Sequence, residues 1–220
     1  MRIKFDEQLK LLHGELIKMG SLCEEAISLS AKALTGTPNR LEMKVGPIET
    51  EIDQMERQIE AQCLRLLLQQ QPVAKDLRII SAALKMISDM ERIGDQAADI
   101  AELIPYITDS TAQSRLHIGD MARAAVSMVT NSIDAFVRED LALARQVMAD
   151  DDTVDTQFSQ IKAELTDLIR QKDIQAEAAL DLLMAAKYFE RIGDHAVNLA
   201  EWVEYSITGM HKSSENPEDL

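Results

Sequence analysis

Four pairs of acidic residues share one spacing: Glu49 and Asp53, Glu91 and Asp95, Asp151 and Asp155, Glu190 and Asp194. Residues four apart lie on one face of an α-helix, and like charges placed there destabilise it by about 0.2–0.5 kcal/mol. A fold with no use for such faces gains nothing from the repulsion. If several of these carboxylates converge, they cannot all stay ionised without a counter-cation, so either some are protonated or a metal ion neutralises them. An all-oxygen ligand set favours hard or borderline cations: Mg²⁺, Mn²⁺, Ca²⁺ or iron. Asp99 extends the first face by one turn, but its counterpart in the second half is Asn198, which makes it an additional candidate outside the matched set. Carboxylate pairs on facing helices also occur in di-iron bundles, which use a Glu-x-x-His motif. None occurs in these pairs, and His195, five residues from Glu190, points off that face. A solvated helix face explains any one acidic pair in so acidic a chain; four pairs in a duplicated arrangement call for more.

The elements that must carry these residues are helices. Apolar residues recur three and four apart at Leu9, Leu12, Leu16, Met19, Leu22, Ala26, Leu29 and Ala33, which predicts an amphipathic helix over residues 5–34. The segment Thr35-Gly36-Thr37-Pro38-Asn39 ends it. A second helix runs to about Gln71, and Gly46-Pro47 inside its span should kink it or delay its start, because proline lacks a backbone donor. A third covers about Ala74 to Tyr106. A fourth is expected over about Thr111 to Val137, a fifth over Leu141 to Gln171 and a sixth over Ala176 to Ile207, with turns at Arg138-Glu139-Asp140 and Lys172-Asp173. Met210 to Leu220 is polar and aperiodic, the pattern of a disordered tail.

The six helices are two copies of one plan. Glu91-Arg92-Ile93-Gly94-Asp95 recurs as Glu190-Arg191-Ile192-Gly193-Asp194, and Glu49-x-x-Ile52-Asp53 recurs as Asp151-x-x-Val154-Asp155. A repeat of about 100 residues is a strong sign of a duplicated unit. The expected fold is therefore all-α, two tandem three-helix bundles over residues 1–108 and 109–209, with 210–220 as the tail. The short turns make the second and third helices of each copy antiparallel. Asp53 lies 18 residues before Gln71, and Glu91 lies 19 residues after Pro72. At 1.5 Å per residue both pairs then stand roughly 27–28 Å from the turn. Asp155 and Glu190 match in height in the same way about Lys172-Asp173. Given facing surfaces, each copy presents four carboxylates in one cluster. Arg92 and Arg191 are expected to offset the acidic charge. Gly94 and Gly193, unfavourable in helices by about 1 kcal/mol against alanine, are expected where two helices pack closely. Met86, Met90 and Met184 should fill core gaps.

Composition narrows the functional classes. Lysine and arginine total 23 against 38 aspartates and glutamates, a formal net charge of -15. That balance lacks the basic footprint of nucleic-acid binding. Hydrophobic residues make up 46% and aromatics only 4%, so the core must be aliphatic. Cys23 and Cys63 show no metal-type spacing and read as buried reduced thiols. The first sixteen residues contain Asp6, Glu7 and Glu15, unlike a signal peptide. A cytoplasmic location is expected, with membrane contact only through partners. There is no glycine-rich phosphate loop, Ser-His-Asp set or Cys-His pair. Three functions fit: a metal-loaded signalling adaptor, a carboxylate-bridged metalloenzyme, or a helical scaffold kept soluble by its acids.

Gln71-Pro72-x-x-x-Asp76-Leu77-Arg78 followed by Glu91-Arg92-Ile93-Gly94-Asp95, with Glu190-Arg191-Ile192-Gly193-Asp194 and Asn198 as the second copy, resembles the PhoU family over about residues 5–209. The resemblance implies a non-enzymatic negative regulator of phosphate uptake and the phosphate-starvation response. Such a protein couples a phosphate-specific ABC transporter to a sensor histidine kinase. It also implies a homodimer, peripheral at the inner membrane through those partners. Divalent metals or multinuclear clusters (iron, zinc, manganese or magnesium) would be held by Glu49, Asp53, Glu91, Asp95, Asp151, Asp155, Glu190 and Asp194. The family also includes paralogues that regulate other transporters. Gly46-Pro47 departs from the family pattern and leads to the expectation that the first site is distorted or emptier than the second.

Overall fold

A computed structural model describes residues 2–35, 40–70, 73–107 and 117–210. Six α-helices are found among them: α1 (Arg2–Thr35), α2 (Val45–Gln70), α3 (Ala74–Leu103), α4 (Ile118–Arg138), α5 (Leu141–Gln171) and α6 (Ala176–Thr208). No strand occurs among the described residues. None of the helices is long and apolar enough to cross a membrane.

The boundaries follow local chemistry. Gly46-Pro47 delays the second helix as expected: a 3-10 turn over Leu41–Lys44 precedes α2. Pro47 then falls in the first turn, where its missing N–H would have had no intrahelical acceptor. Asp76 accepts the Val73 N–H and caps α3. The expected third helix is shorter than read. The α-helix stops at Leu103, and Ile104–Tyr106 tightens into a 3-10 turn, because Pro105 cannot donate to a preceding carbonyl. The start expected for the fourth helix, near Thr111, lies outside the described residues, and α4 is seen from Ile118. The boundary between residues 108 and 109 and the tail from 211 onward also lie outside them. Glu139 and Lys172 end α4 and α5 in the left-handed conformation, with φ 53° and 60°. The following amides, of Asp140 and Lys172's neighbour Asp173, reach back to the Ala135 and Leu168 carbonyls at 2.9 Å each. This closing pattern satisfies carbonyls that a helix end leaves open.

Each copy is a three-helix bundle: α1, α2 and α3 pack on one another, as do α4, α5 and α6. The bundles are not insulated. α3 lies antiparallel along α6, so that Asp89 meets His195 and Asn198 while Arg78 meets Gly209. α1 lies antiparallel along α4, where Gly20 accommodates Ile133 and Glu24 accepts a hydrogen bond from Thr130. One continuous aliphatic core results, from Leu12, Leu16 and Ile27 through Met86 and Met90 to Phe189 and Val203. Cys23 and Cys63 are buried free thiols, and burial pushes both thiol pKa values up. Met184 departs from expectation: its side of α6 faces solvent and it is 44% exposed.

The same buried hydrogen bond ties each bundle together. Ser30 Oγ on α1 shares its proton between the Ala97 carbonyl of α3 at 2.7 Å and the Ala26 carbonyl of its own helix at 2.9 Å, and Ser132 Oγ on α4 shares its proton between the Ala196 carbonyl of α6 at 3.1 Å and its own Met128 carbonyl at 2.8 Å. Both bonds anchor a motif helix a few residues beyond its Gly-Asp step, and so fix the height of the acidic faces.

Candidate metal centres

In the first bundle the two acidic pairs converge. One carboxylate oxygen each from Glu49, Asp53 and Asp95 lies within 4.8 Å of the others. Two oxygens on opposite sides of a hard cation, each about 2.0–2.6 Å from it, stand about 4–5 Å apart, so the three side chains fit such an ion. All three are half-buried. Burial raises the Glu49 carboxyl pKa, and the Asp53 charge raises it further; a hydrogen bond from the Thr50 hydroxyl opposes this and Asp95 adds a smaller push. Glu91 is also raised, first by burial and next by Asp95. Arg92 works against that shift, while Glu56 and Asp53 reinforce it. Asp99 lies at the edge of the face and outside the three-oxygen group. Its pKa is raised by burial, then Glu102, then Asp95, against Arg191 of the other bundle.

The close approach of α2 and α3 depends on Gly94. A Cβ there would stand 3.0 Å from Ile52 Cδ1, which bears out the packing role read for this glycine. Gly193 has the same part in the second bundle, where a Cβ would stand 3.3 Å from both Val154 Cγ1 and Asp151 Oδ1. Arg92 bridges Asp95 at 3.0 Å and Glu91 at 3.4 Å, the offsetting ion pair expected of it. Arg57 adds a pair with Asp53 at 3.4 Å. The feared distortion at Gly46-Pro47 is absent: α2 is regular through Glu49 and Asp53, and this face holds the tight oxygen group.

The second bundle brings Asp151, Asp155, Glu190 and Asp194 into one electrostatic neighbourhood. The Asp151 carboxyl is pushed up to about 6, by burial first and then by Asp155, Asp194, Asp152 and Glu190. Its Oδ1 is buried without a hydrogen-bond partner. Asp194, although more exposed, is also raised, by burial and then Glu190, with Lys187 opposing ahead of Asp155, and His195 opposing more weakly. No three ligand atoms here approach as closely as in the first bundle, among the described residues. Lys187 Nζ instead pairs with Glu190 and lies 5.5 Å from the Phe158 ring centre. His195 turns away, as read, and its Nδ1 lies 2.9 Å from Asp89 Oδ1 across the bundle interface.

Sequence reasoning missed two contributors. Glu56 is seven residues from Glu49 and three from Asp53, which is enough to place it on the same face; Ser88 Oγ donates to its Oε1 at 3.2 Å. Lys187 is three residues before Glu190, a spacing that also announces an ion pair.

These features define an internally duplicated six-helix protein whose paired helices present acidic faces. The PhoU domain matches residues 16–104 and again residues 118–203. The chain belongs to the PhoU family. It is 36% identical over 216 residues to a "Phosphate-specific transport system accessory protein PhoU homolog" of Synechocystis, covering 96% of this chain and 94% of the relative. A protein of the same name from Clostridium acetobutylicum is 35% identical over 207 residues, covering 93% and 94%. The crystal structure of PhoU from Pseudomonas aeruginosa superposes with a TM-score of 0.86 at 33% identity, covering 94% of this chain and all of that one.

Proposed function

We propose that this protein is a non-enzymatic negative regulator of phosphate uptake and of the phosphate-starvation response. In this reading it couples a phosphate-specific ABC transporter to a sensor histidine kinase. The observation that carries the reading is the family match in both halves, with relatives along nearly the whole chain that are named as accessory proteins of phosphate-specific transport. An accessory role suits a cytoplasmic protein, working as a homodimer and reaching the membrane through its partners. The acidic faces supply the chemistry: Glu49, Asp53, Glu91 and Asp95 in the first bundle, with Asp99 at the margin, and Asp151, Asp155, Glu190 and Asp194 in the second. A bound divalent cation, or a cluster of iron, manganese, zinc or magnesium, would relieve their mutual repulsion and lock α2 to α3 and α5 to α6. Clustered charge of this kind also steers association with partners.

The test has two arms. Elemental analysis of protein purified without chelator or affinity-tag metal is compared with the variant carrying Glu91→Ala, Asp95→Ala, Glu190→Ala and Asp194→Ala. Metal present in the wild type and lost in the variant supports the sites. A phosphate-starvation reporter is then followed in cells lacking the gene. Restoration of repression by the wild-type chain in high phosphate is the expected result; constitutive low expression without the gene would remove the regulatory reading.

A further inference from the structure

The two acidic faces differ at two positions that are in contact. In the register that aligns Glu49 with Asp151 and Asp53 with Asp155, Glu56 of α2 corresponds to Phe158 of α5. In the register that aligns Glu91 with Glu190, Ser88 of α3 corresponds to Lys187 of α6. The first bundle joins its two residues by the Ser88–Glu56 hydrogen bond. The second joins its two by laying the Lys187 ammonium against the Phe158 ring, 5.5 Å from its centre. One pair of positions thus contributes a fifth carboxylate and a neutral hydroxyl in the first bundle, and an apolar ring and a cation in the second.

We propose that Lys187 is a built-in counter-ion of the second acidic face, so that the first bundle takes a divalent cation tightly and the second admits one only when the Lys187 ammonium is displaced. This rests on the metal-binding reading above. An ammonium is a compact charge with three donors, and over an aromatic face it is attracted by the ring as well as by its carboxylate partner. Its partner Glu190 keeps only 14% of its side-chain surface exposed, against 22% for Glu91. The first face has cations too, but the side chains of Arg92 and Arg57 are 60% and 73% exposed, against 43% for Lys187. They leave three oxygens within 4.8 Å of one another. Arg191, the counterpart of Arg92, acts on Asp99 of the other bundle. Meanwhile Asp151 Oδ1 remains buried and unpartnered. The second face therefore retains a ligand atom with nothing to bind, as expected of a site that is blocked and not dismantled.

The experiment measures Mn²⁺ binding to the metal-free full chain by calorimetry and by the paramagnetic signal of free Mn²⁺, at fixed pH and salt. The wild type is expected to show one tight class of site. Asp53→Ala with Asp95→Ala removes that class and isolates the second face. Adding Lys187→Ser in this background should strengthen the remaining binding at least tenfold, and Lys187→Met should do the same if serine disturbs packing. In the otherwise wild-type chain, Ser88→Lys should weaken the tight class at least tenfold. Helical circular dichroism and melting temperature verify that each variant is folded. A wild type that binds Mn²⁺ at the first face, with a second face unmoved by either Lys187 change, overturns the counter-ion assignment alone. No Mn²⁺ binding by wild type or by any Lys187 variant overturns both it and the metal reading.

Discussion

Gly94 and Ile52 touch across the seam between α2 and α3, with room for only a hydrogen atom on the glycine: a Cβ would stand 3.0 Å from Ile52 Cδ1 and 3.3 Å from its Cγ2. Ile52 is fully buried, so a side chain at residue 94 must push it against the core. It immediately precedes Asp53, and Gly94 immediately precedes Asp95, so the helix spacing set by this contact also sets the carboxylate spacing. Gly94→Val is expected to destabilise the protein by about 1–3 kcal/mol through overpacking and to weaken Mn²⁺ binding at the first face. Urea unfolding together with Mn²⁺ titration checks both effects. Loss of stability with full retention of binding would uncouple the two.

The pH dependence of the metal-free protein follows from Asp151. Its folded pKa of about 6 lies above the ordinary 3.8, so between these values the folded chain holds a proton that the unfolded chain has lost. Stability from this group is complete below about pH 4 and is lost as the pH rises through 6. Glu49, Glu91, Asp99 and Asp194 are raised and act in the same direction. His13, lowered by burial against Glu139's opposing charge, acts the other way and disfavours the fold as the pH falls below about 6.5. Melting temperatures from pH 5 to 8 should fall less steeply toward high pH in Asp151→Asn than in the wild type. Parallel profiles would show that Asp151 does not titrate in this range.

Ser30 and Ser132 provide a test of the duplicated frame. Each is fully buried and donates to a carbonyl of the motif helix in its own bundle. Alanine at either leaves a carbonyl that keeps its helical partner but has one fewer donor, and is expected to destabilise by about 0.5–1.5 kcal/mol. The sites are far apart, so the double variant should show the sum to within about 0.5 kcal/mol. Denaturant unfolding measures all three. A strongly non-additive result would mean that the bundles respond as a single hydrogen-bonded unit.

Asp53→Asn with Asp95→Asn removes like charge from the first face without removing volume. At low salt this variant is expected to melt above the metal-free wild type. A cation that binds only the folded state stabilises it by about 2.7 kcal/mol at one hundred times its dissociation constant. Millimolar Mn²⁺ should therefore raise the wild-type melting temperature and leave the variant within a degree or so of its own value. Scanning fluorimetry with and without Mn²⁺ decides the matter, and an equal rise in both proteins would place the cation elsewhere.

Much of this architecture was legible in the sequence because helices are rigid rods of known rise. Counting residues from the two turns put Asp53 level with Glu91 and Asp155 level with Glu190, and the structure brings both sets together. Gly94 and Gly193 announced close packing, and the direction of His195 followed from its angle on the helix. Other features depended on what covers each surface. Periodicity marks an apolar stripe without naming its partner, so the packing of α3 on α6 and α1 on α4, and the exposure of Met184, were not available from it. Glu56 was within reach of the same face-counting that found Asp53. Gly46-Pro47 marked the late start of α2 correctly, but the distortion expected of the first site did not follow, because in the first turn proline leaves the helix beyond it regular.

The long seam between α3 and α6 has a consequence for assembly. Asp89 reaches His195 and Asn198, and Arg78 backs onto Gly209, so each bundle completes its surface with the other's motif helix. Were the halves separate polypeptides, that pairing would vary with their abundance and with dilution in the cell. Carried on one chain, each half meets the other at an effective concentration that expression level cannot change, and the stoichiometry of the seam is one to one from the moment of synthesis.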